Sequence, residues 1–480
     1  MNVKKNEIYQ IKITDLSGDG QGIGKIDGFT VFVEGVIPGD SAEIKIIKTN
    51  KTYGYGKLLK IITPSDDRIT PKCEVFKKCG GCSLQYMYYK AQLKHKRKIV
   101  KDCLERIGGF KDTDEIIQEP VGMAHPYNYR NKAQFPVKKK PVHLVHNPVD
   151  SVDIGFYSKR SHDVIDIKTC GISHEINVQV IRLCREFFNA NIKKFPPYDE
   201  INHTGLIRHI FTRIGFYTNE IMVCVIINGD KIPDCEKLIY KLSQIKGMTS
   251  IMLNINKNKT NVILGDKNKI LWGQDFITDY INDKQFKISV NSFYQINPVQ
   301  TEKLYKKAIE FAELNINDIC IDAYCGIGTI SIILAPYVKK IYGIEVIPQA
   351  VSDAILNAEL NNIKNAEFIT GKSEEIIPEL IKSGENIDLI IVDPPRKGCD
   401  VKLLESIIES QIKKLIYISC DPATLSRDLK LLCENGYKLK KIQPFDMFPH
   451  TMHVETVALL ERITGLEPAT STLGRSRSTG

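Results

Sequence analysis

From residue 297 to residue 463, short apolar runs alternate with segments of helical period, and few folds accommodate that rhythm. A helix begins at Pro298. Strands at Ile319–Tyr324, Ile341–Glu345, Leu389–Asp393 and Leu415–Ser419 are each followed by a helix, and two further strands close the region. Alternation of this kind predicts an α/β domain built on a doubly wound parallel sheet with helices on both faces.

The rest of the chain follows other rules. Residues 1–62 alternate β-branched runs with Gly-rich turns, as a small OB-like β-barrel does. Within them Gly18-Asp19-Gly20-Gln21-Gly22-Ile23-Gly24 imitates a dinucleotide fingerprint. A strand pattern follows it, with no helix N-terminus to hold a pyrophosphate, so it reads as a hairpin loop. Residues 63–285 begin with a cysteine-bearing segment and a basic helix over Tyr86–Ile107, then turn mostly to strands with one or two helices, an α+β pattern. The small, polar tail 464–480 is expected to be disordered. Barrel, central domain and α/β domain make three units, as 480 residues suggest.

No apolar run is long enough to span a membrane, and the first ten residues lack the apolar stretch of a signal peptide, so a cytoplasmic protein is expected. There, thirteen cysteines are better read as buried thiols, metal ligands or nucleophiles than as disulfides. The net charge of +9 favours acidic partners. Lys90–Arg97, Tyr127–Lys132 and Lys138–Lys140 carry cations, the first two beside or among aromatics, a combination suited to phosphates and unpaired bases of RNA.

The strand Ile319–Tyr324 leads into a helix through Cys325-Gly326-Ile327-Gly328-Thr329, and the next strand ends on Glu345, 19 residues after Gly326. Glycines at such a turn admit a ligand to the backbone, and an acid at the second strand end suits ribose hydroxyls. The third glycine of a pyrophosphate fingerprint is missing, which favours S-adenosylmethionine (SAM) over NAD. Asp393-Pro394-Pro395-Arg396 then ends a strand with the D-P-P turn of many nucleic-acid methyltransferases. Cys420 lies between a strand end and a helix start, where the helix dipole favours thiolate, and Glu455 opens the last strand of the same sheet. A thiolate that adds to carbon 6 of uracil makes carbon 5 nucleophilic, and a carboxylate can then remove the carbon 5 proton.

With these pieces the chain resembles the RNA uracil-5-methyltransferase family over residues 1–463. The most specific segments are Ser292-Phe293-Tyr294-Gln295-Ile296-Asn297, Asp322–Gly328, Asp393–Gly398, Ser419–Pro422 and His453-Val454-Glu455. The resemblance implies a TRAM-type barrel, Cys420 as nucleophile, Glu455 as proton acceptor, and SAM contacts from Gln295, Tyr324, Glu345 and Asp393. No contact is assigned to Thr370–Ser373.

Cys73, Cys79, Cys82 and Cys170 are four thiols that could converge, and their spacing alone admits zinc or an iron–sulfur cluster. Family members that act on large-subunit ribosomal RNA carry a [4Fe–4S] cluster on such cysteines, whereas those acting on transfer RNA lack it. The resemblance thus implies an iron–sulfur central domain and 23S ribosomal RNA as partner, with no DNA partner expected. Transfer RNA methylation and a non-catalytic iron–sulfur RNA-binding protein are the alternatives. A DNA cytosine-5 enzyme usually places its cysteine after a proline, an adenine amino-methyltransferase an aromatic after D-P-P, and a small-molecule enzyme would not need the barrel.

Overall fold

The computed structural model describes residues 3–140 and 151–463; the tail 464–480, expected to be disordered, lies outside them. Strands β1 (Ile8–Leu16), β2 (Gly22–Ile26), β3 (Phe29–Val33), β4 (Ser41–Thr49) and β5 (Tyr53–Thr63) close into a barrel in the order β1-β2-β3-β5-β4. Its interior is an aliphatic cluster that includes Ile11, Val31, Val33 and Ile44, supplied by the period-two alternation of the strands. The expected hairpin loop is confined to residues 17–21, between β1 and its antiparallel partner β2, while Gly22–Gly24 already belong to β2. Gly20, at φ +85°, packs against Met452, so this loop seats the barrel on the far end of the chain.

Helix α1 (Tyr89–Cys103) runs on into a π-helical turn, Leu104–Gly108. Of its cations Lys90 and Lys94 are exposed, but the remainder of the expected basic patch is engaged within the protein. Lys96 is fully buried against Asp446, Arg97 pairs with Asp114 and Glu119, and Lys98 pairs with Asp15 of the barrel and Asp102. Lys96, Arg97 and Lys98 are thus engaged inside the protein, because that part of the helix lies where barrel and C-terminal domain meet.

The central sheet comprises β6 (Lys132–Lys139), β7 (Val152–Tyr157), β8 (Val164–Asp166), β9 (Ile207–Ile214), β10 (Ile221–Ile227), β11 (Met248–Ile255) and β12 (Lys267–Gly273), in the order β12-β11-β10-β9-β6-β7-β8. Helices α2 (Ile176–Ala190) and α3 (Glu236–Ser243) contribute to one apolar core with it. The opposite side contributes Phe211, Met222, Cys224 and Ile226 to the core of the C-terminal domain. The hairpin of β13 (Phe276–Ile281) and β14 (Lys284–Ser289) joins that second core.

The last domain contains α4 (Pro298–Ala312), β15 (Ile319–Asp322), α5 (Thr329–Leu334), β16 (Lys340–Glu345), α6 (Pro348–Leu360), β17 (Ala366–Thr370), α7 (Ser373–Lys382), β18 (Leu389–Val392), α8 (Val401–Glu409), β19 (Lys414–Ser419), α9 (Pro422–Glu434), β20 (Tyr437–Phe445) and β21 (Glu455–Arg462). The sheet order is β17-β16-β15-β18-β19-β21-β20. Five strands are parallel, as expected, and the final two are antiparallel, because β21 returns between β19 and β20. Strand β17 was not apparent in the sequence: it is a short edge strand with no fully buried residue and so lacks an apolar run. Residues 116–121 cover the opposite edge, where Gln118 N donates to Ile442 O and Val121 N to Pro444 O, which removes an open strand edge.

Candidate active site

The strand order reverses between β15 and β18, and the carboxyl ends of strands at such a switch point form the crevice of a doubly wound sheet. A cavity of about 880 Å³ lies there. Gln295, Tyr324, Glu345, Asp393, Cys420 and Glu455, which are far apart in the chain, all line it.

The cofactor half is built from glycines and buried polar groups. After β15, Gly326 and Gly328 adopt φ of +54° and +82°, which L side chains rarely take up. Ser331 Oγ donates to the buried Asp322 Oδ2 at 2.7 Å. Burial pushes the Asp322 carboxyl up to about 6. Glu345, at the end of β16, accepts hydrogen bonds from Gly326 N at 3.2 Å and Ile347 N at 2.9 Å, which ties the second strand end to the glycine turn.

The half of the cavity expected to be catalytic stands on β18, β19 and β21. Cys420 leaves β19, and Glu455 opens the neighbouring β21. Against the helix dipole expected to favour thiolate, burial, then the charges of Glu455 and Asp393, push the Cys420 thiol up to about 12. The helix amides are already engaged, since Asp421 caps α9 by accepting from Ala423 N and Thr424 N. Burial and the proximity of Asp393 push Glu455 up to about 8, while the Arg396 guanidinium acts in the opposite direction. Asp393 is raised to about 7 by burial and then by Asp322. The free site therefore stores protons, and an entering cation would release them.

Other lining residues were not assigned to the site from sequence. Arg130, Lys132 and Gln134 reach it from the central domain, and Lys372 enters from the stretch to which no contact had been assigned. The local signals for the first group are the cations of Tyr127–Lys132, expected to meet RNA, and the period-two pattern of β6, in which Lys132 and Gln134 alternate with buried Ala133 and Phe135. Arg396 Nη2 lies 3.5 Å from His453 Nε2, and both residues line the cavity.

Cys73, Cys79, Cys82 and Cys170 line a separate cavity of about 130 Å³. Burial, followed by the neighbouring thiols, pushes Cys82 up to about 12 against the hydrogen bond that Gln85 donates to its sulfur. Among the described residues, no group of three or more His, Cys, Asp or Glu side chains is disposed to hold a metal ion. Arg130 lines both this cavity and the catalytic one.

A family model described as tRNA (Uracil-5-)-methyltransferase matches residues 218–463, and a TRAM domain model matches residues 2–59. An uncharacterized RNA methyltransferase of Clostridium tetani is 48% identical over 462 residues, covering 95% of this chain and 97% of its own. The chain belongs to the RNA uracil-5-methyltransferase family. An uncharacterized RNA methyltransferase of Halalkalibacterium halodurans is 46% identical over 460 residues, covering 96% of this chain and 98% of its own. The crystal structure of Pyrococcus abyssi tRNA (uracil-54, C5)-methyltransferase in complex with S-adenosyl-L-homocysteine superimposes with a TM-score of 0.74 at 29% identity, covering 94% of this chain and 99% of that one. This uracil-5-methyltransferase is thus a SAM-dependent RNA-modifying enzyme with an N-terminal TRAM barrel. Among the described residues, no helix is long and apolar enough to cross a membrane.

Proposed function

We propose that the protein methylates carbon 5 of a uridine in 23S ribosomal RNA, with Cys420 as nucleophile and Glu455 as base. The observation that carries this reading is the gathering of Cys420, Glu455 and Asp393 in one cavity with Gln295, Tyr324 and Glu345. Bound SAM supplies an electrophilic methyl group there. Cys420 Sγ would lose its proton to solvent and add to carbon 6, which makes carbon 5 nucleophilic; carbon 5 would take the methyl group, with S-adenosylhomocysteine as the leaving group, and Glu455 would then remove the carbon 5 proton so that the carbon–sulfur bond breaks and the Cys420 thiolate leaves. Gln295, Tyr324, Glu345 and Asp393, which line the same cavity, would hold the cofactor. The target base must leave its stack to reach Cys420, and the accessory domains would stabilise the remodelled RNA.

The four cysteines would hold a [4Fe–4S] cluster. What supports this reading is that the four cysteines line one cavity; four thiols suit either a zinc ion or an iron–sulfur cluster, and the family resemblance favours the cluster. Its role would be structural, since methyl transfer consumes no electrons. Iron and sulfide should be found in anaerobically purified protein; zinc in their place would remove the cluster and, with it, the main support for a ribosomal substrate. A transfer RNA substrate is the second reading, favoured by the Pyrococcus abyssi enzyme and by the description of the family model.

Transfer of tritiated methyl groups to unmodified 23S ribosomal RNA, transfer RNA and DNA separates these readings. Label is expected in the ribosomal RNA. Cys420→Ala should abolish turnover, and Glu455→Gln should accumulate a covalent RNA adduct visible on a denaturing gel. A fully active Cys420→Ala protein would falsify the mechanism.

A further inference from the structure

Strand β6 has one face in the core, through Ala133, Phe135 and Val137. On the other face Lys132 and Gln134 line the catalytic cavity, and Pro136 and Lys138 line a second cavity of about 120 Å³ that shares no residue with the first. Gln134 and Pro136 are separated by about 7 Å of strand, so a nucleic-acid strand leaving the catalytic cavity along β6 meets the second within a few nucleotides. A dry cavity of about 150 Å³ accepts benzene, so this smaller one, at about 120 Å³, admits the hydrogen-bonding edge of a base, with the rest of the ring system and the sugar outside.

The walls are specific. The rings of Tyr157, Tyr198 and His162 supply flat surface, and the Arg208 guanidinium lies 4.4 Å from the centre of the Tyr198 ring. Arg208 is held by the carbonyls of Asn256 and Asn258 at 2.8 Å and is already committed to them. Glu200 is anchored by Tyr157 Oη at 2.9 Å and His162 Nδ1 at 2.9 Å, one to each carboxylate oxygen. Each oxygen retains accepting capacity. His209 is buried, and its Nδ1 has no partner among the described residues, a shortage that a polar ligand can meet. An anchored carboxylate repels phosphate and selects N–H donors. Guanine presents two adjacent N–H groups on one edge, matched to two carboxylate oxygens; adenine and cytosine set an amino group beside an acceptor, and uracil sets one N–H between two carbonyls. Lys138, whose ammonium donates to the His162 carbonyl at 3.1 Å, lies where it can face the flanking phosphate.

We infer that this cavity is a base-reading pocket for a guanine near the target uridine, an inference that rests on the RNA reading above. Binding of guanosine, inosine, adenosine, cytidine and uridine 5′-monophosphates to the full-length protein, measured by saturation-transfer NMR titration, tests it. Guanosine monophosphate should bind about tenfold more tightly than inosine monophosphate, which lacks the 2-amino group, and than the other three nucleotides. Glu200→Gln should abolish that preference. Equal affinities for all five nucleotides in the wild-type protein, or a guanine preference that survives in Glu200→Gln, overturns the pocket. The wild-type series decides by itself if the variant does not fold. Absence of methyl transfer to any RNA would instead count against the uracil reading, since nucleotide binding makes no use of turnover.

Discussion

Cys420 and Glu455 occupy surroundings that oppose charge, and this has consequences for pH. With Glu455 held at about 8, the free enzyme carries it largely protonated at neutral pH, so kcat/KM for methyl transfer should rise between pH 6.5 and 8.5. A flat profile over that range would exclude Glu455 as the base that titrates. The same shift bears on stability. The folded value lies above the ordinary 4.5, so between about pH 4.5 and 8 the native state binds more protons than the unfolded chain, and this site loses stability as the pH rises. Glu455→Gln removes that loss. The variant should gain roughly 1–3 kcal/mol relative to wild type on going from pH 6 to pH 9, read from urea unfolding.

The turn after β18 depends on its packing against α9. Gly398, at φ +80°, lies so close to that helix that a Cβ would meet Arg427 Nη2 at 2.5 Å and Asp428 Oδ2 at 2.6 Å. Asp428 in turn accepts from Cys399 N at 2.9 Å and Tyr417 Oη at 2.6 Å, which fixes the end of the turn to β19. Gly398→Ala should cost about 1–3 kcal/mol and lower kcat by displacing Asp393 and Arg396; thermal melting and methyl-transfer assays would register both. The strands β15, β16, β18 and β19 were legible because they are buried on both faces and read as unbroken apolar runs. Strand β17 and the antiparallel return of β21 were not, since pairing partners are chosen by tertiary packing.

Three parts of the chain converge on the loop between β20 and β21. Lys96 on α1 forms a buried ion pair with Asp446 and donates to Phe448 O at 3.1 Å. Gln92 Oε1 accepts from His450 N at 3.1 Å, Tyr129 Oη donates to Pro449 O at 3.1 Å, and Asn297 Nδ2 donates to Met447 O at 3.0 Å. These contacts set the start of β21 and hence Glu455. Lys96→Met, which leaves Asp446 buried without its partner, should destabilise the protein by about 3–5 kcal/mol, and Lys96→Met with Asp446→Leu should recover much of that loss. Denaturant unfolding of both variants measures it; equal destabilisation by the single and double changes would refute a pair held by mutual compensation.

The placement of Cys420, Glu455, Asp393 and the glycine turn at strand ends could be read from sequence because strand ends and turns impose local residue requirements: glycine where φ is positive, an acid at a second strand end, a thiol between strand and helix. The barrel was legible for the same reason, through alternation and turns. The burial of Lys96, the arrival of Arg130, Lys132 and Gln134 at the catalytic cavity, and the proton-retaining state of Cys420 were decided only by tertiary structure. Each depends on which distant surfaces meet and how much water they exclude, and no window of neighbouring residues carries that information.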